Sequence, residues 1–597
     1  MMKRFRLQAV SGAQWFHDNI SCHAACPVGT EAFAYVAELA EGNHESAYTI
    51  ARRPNPFPYI CGRVCAHPCE EACRRGDIDE PISIRALKRT ATDSHDLSAG
   101  HAPGLTQLPK REESVAVVGS GPAGLACAHD LARLGYAVTL FEASSVPGGM
   151  LTLGIPEYRL PREIVQLEIE AITKIGVELK CNQALGRDFL LADLMAQGFR
   201  AVFLAIGAHR SKDLRIEGLG LDGVLRGVEF LLNVNLGYRV WLGHKVVVIG
   251  GGNVAVDVAR TAAREGADQV AVSTTLDAAR AALRLGSREV HVICLESREQ
   301  MPAHGYEVEE AEREGIIFHP STGPRKVLGV DGKVTGLETV RCLSVFDANG
   351  RFNPSFAPGS ESLITTDSVI LSVGQVSDLS FLRPGDGVET TGRGTLAINP
   401  ASLATTAPGI FAGGDAAFGP RLIIDATADG RKAARSIHQY LRGNVQWQQW
   451  VRLPVIQPRD LGNSYDGIPR QACPTLPVER RMGFTEVELP FSAAQAATEG
   501  RRCLRCDYDI FLDGERCILC GGCVDICPYH CIAMISASGV DWGQSAADFP
   551  EEAGRGEGYV MVLDETYCIR CGLCVRRCPT DAIEMRRFQA SGEWVYE

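Results

Sequence analysis

The sequence predicts an α/β protein in which two nested Rossmann-like domains are joined to an α-helical Cys-rich domain at the N-terminus and a ferredoxin-like domain at the C-terminus. Three observations lead to this fold class. Strand and helix patterns alternate between Val115 and about residue 445 with Gly-rich turns, which indicates parallel sheets. Two of those turns carry a glycine fingerprint typical of dinucleotide binding. Sixteen of the 22 cysteines lie in tight clusters near the two ends.

The length and composition are those of a multidomain globular protein. A chain of 597 residues is too long for one hydrophobic core. The formal net charge of −12 argues against nucleic acid or an anionic membrane as partner, because both attract basic surfaces. No apolar run reaches the roughly 18–20 residues of a membrane helix, and the basic start MMKRFRLQAV lacks the apolar core of a secretory signal. We therefore expect a cytoplasmic protein without membrane insertion.

Cysteine is the outlier in the composition. In a small secreted domain, 22 cysteines would indicate disulfides, but here the chain length and the cysteine spacing indicate metal ligands. Six cysteines are scattered outside the clusters, and we interpret them as buried apolar residues. They are Cys127, Cys181, Cys294, Cys342, Cys473 and Cys531.

The last 80 or so residues carry two copies of one cysteine motif, C-x2-C-x2-C-x3-C-P. Thiolates at this spacing fold over a [4Fe–4S] cubane, and in two-cluster ferredoxins the fourth Cys of each run binds the other cluster. Zinc is the alternative, but a zinc site needs neither the third Cys nor the proline. The motif resembles that of a bacterial two-cluster ferredoxin closely. The predicted ligand sets are Cys517, Cys520, Cys523 and Cys578 for one cluster, and Cys568, Cys571, Cys574 and Cys527 for the other.

Residues 115–143 read as a strand, a Gly-rich turn, a helix and a second strand. The turn follows G-x-G-x-x-G, in which the glycines permit a tight turn, close approach of the backbone to a pyrophosphate, and close packing of helix on strand. An acidic residue ends the second strand, where it can accept hydrogen bonds from ribose hydroxyls, and the helix N-terminus faces the phosphates. The predicted binding residues are Gly119, Gly121, Pro122, Ala123, Gly124 and Glu142.

Residues 245–263 carry a second fingerprint, of the form G-x-G-x-x-A. Because it lies within the first dinucleotide unit, the layout is that of a flavoprotein with two dinucleotides, in which the second delivers hydride to the flavin. The alternative is a degenerate nucleotide fold that binds nothing. We predict a site for NAD(H) or NADP(H) at Gly250, Gly252, Asn253 and Ala255.

Several segments resemble the glutamate synthase small subunit family, over roughly residues 1–505. The segments GGMLTLGIPEYRLP and GIFAGGDAAFGPRLIIDATADGRKAA resemble its FAD-contacting segments. The resemblance implies FAD as the first dinucleotide, with Asp415 holding the ribityl chain and the helix after Gly419 starting at the flavin; a simple turn role is the alternative for Asp415. Further dinucleotide contacts are implied at Gly149, Met150, Gly154, Gly207, Gly414, Ile423, Gly374 and Gln375.

The segments SCHAACPVG, CGRVCAHPCEEAC and PISIRALKR resemble the N-terminal domain of the same family, which dihydropyrimidine dehydrogenase shares. That domain holds two [4Fe–4S] clusters and begins with an extra C-x2-C motif that is absent here. Six N-terminal cysteines cannot supply two four-thiolate clusters, but Cys503 and Cys506 in GRRCLRCD raise the count to eight. We therefore expect these two to fold back to the N-terminal domain. The expected ligand sets are Cys22, Cys73, Cys503 and Cys506, and Cys26, Cys61, Cys65 and Cys69.

The position of Lys88 bears on this partition. Relatives sometimes place a Gln or Glu ligand where this chain has Lys88, and an ammonium cannot bind iron, which favours Cys61 as the substitute ligand. The alternative is one N-terminal cluster with spare thiols.

The choice between the two nicotinamide nucleotides depends on VHVICLESREQMPA. Family members that use NADPH typically show two adjacent arginines shortly before the Met-Pro pair, whereas this chain has Leu295 and Glu296 there. A carboxylate at this point repels a 2′-phosphate and accepts from a free 2′-hydroxyl, which favours NADH. Arg298 is nearby and could serve a phosphate, so NADPH stays open.

These patterns divide the chain into six segments. In chain order they are an α-helical domain for two [4Fe–4S] clusters (1–108), the first part of the FAD-binding domain (112–238), the NAD(P)H-binding domain (239–375), the second part of the FAD-binding domain (376–445), a linker that returns the C-x2-C ligands (446–506) and a two-cluster ferredoxin domain (507–597).

The predicted function is that of an FAD- and iron–sulfur-dependent NAD(P)H oxidoreductase with four [4Fe–4S] clusters. A nicotinamide releases two electrons as a hydride, an iron–sulfur cluster accepts one at a time, and flavin can do both. Hydride transfer demands no acid–base residue, so the catalytic residues stay unknown. We expect electron exchange with a protein partner, namely a sulfite reductase, a ferredoxin or a similar carrier; a homodimer is a further option.

The ferredoxin tail departs from the glutamate synthase small subunit, and the chain opens Met1-Met2 rather than with a nucleophilic Cys. Glutamate synthesis is therefore a doubtful role. Family members with such a tail include the iron–sulfur flavoprotein that serves dissimilatory sulfite reductase in sulfur metabolism, which is our first hypothesis. The alternatives are an NAD(P)H:ferredoxin oxidoreductase, the flavin subunit of an electron-bifurcating complex, and a non-enzymatic electron-wiring subunit.

Overall fold

The computed structural model describes residues 19–96, 107–264, 289–443, 445–458, 467–481, 483–536, 558–564 and 568–596. The chain divides into two compact units. The Cys-rich unit comprises 1–105, 442–474 and 490–597, and the two-sheet unit comprises 106–441 and 475–489. All sixteen clustered cysteines belong to the Cys-rich unit. No helix among the described residues is both long and apolar enough to span a bilayer.

Two parallel five-stranded sheets form the framework of the two-sheet unit. The first has the strand order Ile410–Ala412, Ala201–Leu204, Ser114–Val118, Ala137–Phe141 and Val177–Lys180. The second has the order Val224–Arg226, Ser368–Leu371, Lys245–Ile249, Glu289–Ile293 and Ile317–His319. In the chain, the second sheet is inserted before the last strand of the first. The nested α/β fold that the sequence predicts is thereby confirmed.

The central strand of each sheet is apolar on both faces, as expected of a parallel sheet covered on both sides. The last four residues of Ser114–Val118 and of Lys245–Ile249 are buried. A helix follows each strand, Pro122–Arg133 in the first sheet and Asn253–Arg264 in the second. Pro122 begins its helix, where its fixed φ suits the first turn and its missing N–H costs nothing. Each strand, turn and helix thus forms one packed element whose turn lies at the carboxyl end of the strand.

Antiparallel strands and short helices complete this unit. One antiparallel sheet is built from Thr322–Val330, Lys333–Phe346, Phe352–Phe356 and Ser362–Thr365. The two chain crossings between the parallel sheets pair with each other, Arg210–Ser211 with Gln375–Val376. The other α-helices are Met150–Leu153, Arg162–Thr173, Leu191–Ala196, Gly227–Asn235, Gly305–Arg313, Asp415–Phe418 and Ile423–Arg442, and the 3₁₀-helices are Arg298–Gln300 and Val478–Arg480.

A largely buried ion-pair network joins the parts of this unit that carry the two sheets. Arg159, from the part with the first sheet, donates to Asp257 of the second at 2.7 Å and also pairs with Glu307. Arg481 pairs with Glu314 at 3.2 Å. Because removal of one partner would leave an uncompensated buried charge, the network holds the two sheets in one arrangement.

The Cys-rich unit combines helices from both ends of the chain. Its α-helices are Ser21–Ala24, Ala32–Ala40, His44–Arg52, Pro58–Val64, Pro68–Glu71, Ile84–Asp93, Ala493–Arg501, Gly522–Ile526 and Leu573–Arg577, with a 3₁₀-helix at Arg74–Asp77. Its sheets pair Val445–Arg452 with Gln589–Tyr596, Val455–Ile456 and Tyr508–Leu512 with Ile583–Arg587, and Ile532–Ser536 with Tyr559–Leu563.

The segment that the sequence suggests as a linker, 446–506, is divided between the units. Its strand Val445–Arg452 pairs with the C-terminal strand, and its helix Ala493–Arg501 packs on Ala32–Ala40, whereas 475–489 belongs to the two-sheet unit. Residues 459–466 and 482 of this segment lie outside the described residues. The strand and the helix owe their place to pairing with residues far away in the chain, which local composition does not reveal.

Glu499 ties three distant segments of the Cys-rich unit together. Its carboxylate is fully buried and accepts hydrogen bonds from the N–H of Ser83 at 2.9 Å and the N–H of Gln471 at 2.8 Å. It also pairs with the buried guanidinium of Arg502 at 2.8 Å. A carboxylate with three donors is a satisfied buried charge, so this group determines how the N-terminal helices meet the segment that contains Cys503.

We expect Glu499→Gln to destabilise the Cys-rich unit strongly. The amide would remove one of the two carboxylates that pair with Arg502, leaving only Asp79 at 3.0 Å, and would replace one acceptor of the buried N–H groups by a donor, which costs about 3 kcal/mol. For a unit of this size that corresponds to a loss of roughly 6–12 °C in the melting temperature of its transition, measured by anoxic scanning calorimetry. Glu41→Gln, on an exposed carboxylate of the same unit, is the control and should leave that transition unchanged. Equal melting temperatures for Glu499→Gln and the unaltered chain would contradict the assignment.

Candidate redox-cofactor sites

The first Gly-rich turn lies at the carboxyl end of Ser114–Val118. Gly119 has a φ of +102°, and a Cβ there would collide with the backbone of Ala205. A Cβ on Gly121 would instead enter open space among the described residues. The helix that starts at Pro122 leaves its first N–H groups without intrahelical acceptors, which is the arrangement that binds a pyrophosphate.

Glu142 is buried beside this turn. Its carboxylate accepts a hydrogen bond from the N–H of Ser120 at 3.0 Å and one from the N–H of Ser144 at 2.8 Å. The hydroxyl of Ser120 donates to it at 2.5 Å. These three donors hold the carboxylate at the end of its strand, where a ribose hydroxyl can reach an acceptor.

The segments expected to contact a flavin meet at the same turn. The Cβ position of Gly149 lies 2.9 Å from the Cα of Gly121, and that of Gly414 lies 3.1 Å from the Cβ of Ala123. Gly124 faces the carbonyl of Gly119 with no room for a side chain. The structure therefore brings the predicted residues of both segments together; Met150 and Gly154 are the first residue and the C-cap of the helix Met150–Leu153.

Asp415 begins a short helix next to Gly414. The N–H of Arg421 donates to its carboxylate at 3.2 Å, and burial raises the pKa of Asp415 to about 6. Asp429 accepts from the N–H of Gly414 at 3.0 Å, which fixes this turn to the long helix that starts at Ile423. A half-buried carboxyl of this kind suits a hydrogen bond with a sugar hydroxyl.

The second Gly-rich turn has a carboxylate directly above it. A Cβ on Gly250 would collide with the backbone of Ser372, and the Cβ position of Gly251 lies 2.9 Å from an Oε atom of Glu296. A Cβ on Gly252 would enter open space among the described residues. The structure thus brings Glu296 to the turn. Asn253 accepts from the N–H of His304 at 2.9 Å, and Ala255 is buried.

The other residues predicted to bind a nucleotide do not all lie at the two Gly-rich turns. Arg298 pairs with Glu312 at 2.7 Å. Gly374 and Gln375 lie on one crossing between the sheets, where the carbonyl of Gly374 accepts from the N–H of Lys212 at 3.0 Å. Gly207, with a φ of +71°, precedes the other crossing. The structure brings these crossings together but shows no contact of Arg298 with the turn among the described residues.

Cysteines from both ends of the chain lie near Cys22 in the Cys-rich unit. Burial raises the pKa of the Cys22 thiol, and the next largest contributions come from Cys506, Cys503 and Cys73. Cys22, Cys73 and Cys503 border one hydrophobic cluster, together with Cys69 and Cys473, and Cys22 and Cys506 border another. The C-x2-C pair near residue 505 therefore lies beside N-terminal cysteines.

A second group of four cysteines surrounds Lys88. Burial would lower the pKa of its ammonium, but the charges of Cys61, Cys26, Cys65 and Cys69 raise it. A hydrogen bond between Cys65 and Cys61 raises the pKa of Cys61, and the N–H of His67 donates to the sulfur of Cys65 at 3.4 Å. Cys26, Cys61, Cys65 and Cys69 thus lie near Lys88, and Cys73, Cys503 and Cys506 lie near Cys22; Cys69 interacts with both Lys88 and Cys22.

The C-terminal cysteines line two partly open cavities, of about 370 Å³ and 320 Å³ when the solvent-filled space at their mouths is included. The larger holds Cys527 with Cys568, Cys571 and Cys574, and the smaller holds Cys578 with Cys517, Cys520 and Cys523. The fourth cysteine of each motif thus lies with the first three of the other. Among the described residues no group of three or more His, Cys, Asp or Glu is spaced for a single metal ion.

The C-terminal part is an internal repeat. The helices Gly522–Ile526 and Leu573–Arg577 each follow a left-handed glycine, Gly521 and Gly572. In each half an N–H donates to the sulfur of the fourth cysteine at 3.2 Å, from Cys531 to Cys527 and from Ala582 to Cys578. The two halves therefore support their sulfurs in the same way.

Sequence reasoning missed the place of Cys531. It is buried, as expected, but it lines the larger cavity, and its thiol donates to Cys527, which lowers the pKa of Cys527 to about 5. Aligning the two halves would have found it, because Cys531 occupies the position that Ala582 has in the other half. The cavity therefore holds a fifth thiol beside the four of the motif.

Each of the four groups offers the four thiols that a [4Fe–4S] cluster binds, and the first Gly-rich turn has the open backbone and buried carboxylate that an FAD needs. The chemistry of the donors therefore fits these cofactors. FAD converts between hydride and single-electron transfer, and the clusters carry single electrons.

Three family models match the chain. Pyridine nucleotide-disulphide oxidoreductase matches residues 113–430, dihydropyrimidine dehydrogenase domain II with a 4Fe-4S cluster matches 16–99, and the 4Fe-4S dicluster domain matches 516–582. Together they match the two-sheet unit and both cysteine-containing ends.

Curated relatives match over most of the chain. The NADP(+)-dependent formate dehydrogenase subunit beta of Moorella thermoacetica is 40% identical, over 81% of this chain and 70% of its own length. The NADPH-Fe(3+) oxidoreductase subunit beta of Geobacter sulfurreducens is 36% identical, over 81% and 75%. The glutamate synthase [NADPH] small chain of Escherichia coli is 32% identical, over 71% and 89%. The chain therefore belongs to the pyridine nucleotide-disulphide oxidoreductase family, as an iron–sulfur flavoprotein enzyme related to the glutamate synthase small chain.

Proposed function

We propose that the chain carries electrons between a nicotinamide nucleotide and a protein partner in the cytoplasm, through one FAD and four [4Fe–4S] clusters. One observation carries the proposal: sixteen cysteines fall into four groups of four in one unit, while two dinucleotide-type turns lie in the other. A hydride donor, a two-to-one electron converter and one-electron carriers form a required sequence.

The proposed ligand sets follow the four groups. They are Cys22, Cys73, Cys503 and Cys506; Cys26, Cys61, Cys65 and Cys69; Cys517, Cys520, Cys523 and Cys578; and Cys527, Cys568, Cys571 and Cys574. The electrostatic neighbours of Cys22 and Lys88 support the first two sets, and the cavity linings support the last two.

The residues of the two-sheet unit bind and orient the two dinucleotides. The turn at Gly119 and the carboxylate of Glu142 would hold the FAD, and the carboxyl group of Asp415 would accept a hydrogen bond from a ribityl hydroxyl. The turn at Gly250 would hold the nicotinamide nucleotide. The ion pair between Arg159 and Asp257 maintains the relation of the sheets that carry the two turns.

Electron exchange with the partner is proposed at the group that contains Cys520. Of the 22 cysteines, all within the described ranges, Cys520 alone is exposed. Ile518 and Leu519 beside it are 64% and 40% exposed. The formate dehydrogenase and Fe(3+) oxidoreductase relatives are named as subunits, which supports a protein partner. The partners that we propose are a dissimilatory sulfite reductase in sulfur metabolism, a ferredoxin or a similar carrier.

We propose NADH as the preferred nucleotide. The carboxylate of Glu296 overhangs Gly251, where it would accept from a 2′-hydroxyl and repel a 2′-phosphate. Arg298, the alternative phosphate ligand, is paired with Glu312. The relatives named above carry NADP in their names, so this chain would differ from them at the ribose.

Anoxically purified chain should contain one FAD and about sixteen irons. Stepwise addition of NADH, without an added mediator, should first bleach the absorption band of the flavin. It should then bleach the broad visible absorption of the iron–sulfur clusters. A chain with no flavin, or with far fewer irons, would contradict the proposal. Full cofactor content without bleaching by either nucleotide would instead indicate a non-enzymatic wiring subunit.

Glu296→Gln should reduce the preference for NADH over NADPH by roughly tenfold or more. The substitution removes a charged acceptor worth about 1.5–3 kcal/mol, together with its repulsion of a 2′-phosphate. The ratio of kcat/KM for flavin reduction by the two nucleotides, from anoxic stopped-flow measurements, checks this. Glu299→Gln, on an exposed carboxylate three residues away, is the matched control and should leave the ratio unchanged. Faster reduction of the unaltered chain by NADPH would contradict the preference.

Cys503→Ala should lower the iron content from about sixteen to about twelve per chain, because it removes one ligand of a single cluster. Cys473→Ala is the control, on a cysteine that borders the same hydrophobic cluster as Cys503 but is not among the proposed ligands. Iron analysis and the flavin content of the anoxic proteins give the readout. An unchanged iron content in Cys503→Ala would mean that the C-x2-C pair is not a ligand pair.

A further inference from the structure

Lys88 is a buried cation inside the group Cys26, Cys61, Cys65 and Cys69. Only 7% of the residue is exposed, and its ammonium interacts electrostatically with all four sulfurs. Lysine is almost never fully buried without a compensating charge. The position is explained if the four sulfurs are thiolates, because their charge outweighs that of the group they hold and compensates the ammonium.

The backbone holds Lys88 in this place. Its helix, Ile84–Asp93, packs directly on Pro58–Val64, and the Cβ position of Gly62 lies 2.8 Å from the Cα of Arg89. Any larger residue than glycine at 62 would separate the two helices. Because the two helices lie so close together, the side chain of Lys88, the residue before Arg89, lies beside the cysteines at the end of Pro58–Val64.

Tyr35 closes the opposite side. Its fully buried ring lies under the ammonium, at 5.8 Å from the ring centroid, and its hydroxyl donates to the carbonyl of Ile84 at 3.3 Å. An aromatic face attracts a cation but does not neutralise it. In the described parts of the chain, no carboxylate forms an ion pair with Lys88.

The neighbouring group, Cys22, Cys73, Cys503 and Cys506, differs in this respect. Besides burial, the groups that shift the pKa of Cys22 most are other cysteines. A cation beside this group, Arg505, interacts with Cys503 but is paired with the carboxylate of Asp507 at 2.9 Å. The two N-terminal groups therefore offer four thiols in different electrostatic surroundings, one beside a buried cation that pairs with no carboxylate among the described residues and one beside a cation that Asp507 neutralises.

We propose that Lys88 is a redox-tuning residue, whose ammonium raises the midpoint potential of the [4Fe–4S] cluster bound by Cys26, Cys61, Cys65 and Cys69. The inference rests on the proposed function. Four thiolates around a [4Fe–4S]²⁺ core carry a net charge of −2, and one-electron reduction makes it −3 with no bond formed or broken. A fixed positive charge in a medium of low dielectric constant stabilises the reduced form more than the oxidised form, so the potential rises.

The test compares Lys88→Met, Lys88→Arg and the unaltered holoprotein in anoxic redox titrations followed by electron paramagnetic resonance. The signal of this cluster is identified as the one lost in Cys61→Ala. In Lys88→Met the potential of that signal should fall by at least 59 mV, a tenfold change in the reduced-to-oxidised ratio for one electron. Lys88→Arg keeps the charge and should stay close to the unaltered value. Lys174→Met, on an exposed lysine, is the control and should change nothing.

An unchanged potential in Lys88→Met with all irons retained would overturn the proposal. If Lys88→Met loses the cluster, Lys88→Arg decides between a role of the charge and a role in packing. Iron content and midpoint potential that are both retained in Lys88→Arg support a role of the charge. Loss of iron in both variants overturns redox tuning in favour of a packing role. Failure of the proposed function itself gives a different result, because then the unaltered chain would show no signal that Cys61→Ala removes.

Discussion

The convergence of thiols is the constraint on which the Cys-rich unit depends. Four thiolates that share one site repel each other, and burial in a medium of low dielectric constant increases that repulsion. Such groups are tolerable only where a positively charged centre joins them, and they require the backbone to bring together residues from remote parts of the chain. The unit is therefore assembled from both chain ends, and its buried Glu499 links the helix before Cys503 to the N-terminal segment at Ser83.

The two-sheet unit answers a different demand. A dinucleotide needs exposed N–H groups at a helix start and a backbone without side chains in the way, and both are supplied by one turn after a buried strand. The same design occurs twice, with a carboxylate beside each turn. The carboxylate of Glu142 accepts hydrogen bonds from three donors, whereas the carboxylate of Glu296 lies close to Gly251. The ion pairs of Arg159 with the part that carries the other sheet then fix the distance between the two turns.

The parts of this architecture that could be predicted from the sequence are those coded locally. A glycine fingerprint between a strand and a helix and a cysteine motif with fixed spacing each specify their own geometry, so both turns and the crossed cysteine motifs could be anticipated. Contacts made over long distances in the chain could not. The pairing of Val445–Arg452 with the last strand, the role of Glu499 and the place of Lys88 depend on the tertiary fold. The place of Cys531 at the cavity was missed for another reason, because a buried thiol fits an apolar role equally well until its neighbours are known.

The return of the Cys503 region to the N-terminal helices has a consequence for biogenesis. A chain emerging from the ribosome exposes Cys22 and Cys73 first, and these two wait through the synthesis of the whole two-sheet unit before Cys503 and Cys506 arrive. On the proposed ligand set, a cluster at Cys22, Cys73, Cys503 and Cys506 can be completed only after both nucleotide-binding domains have been synthesised. The maturation machinery would therefore deliver iron to this group at the end of translation, to thiols that are more than 400 residues apart in the chain.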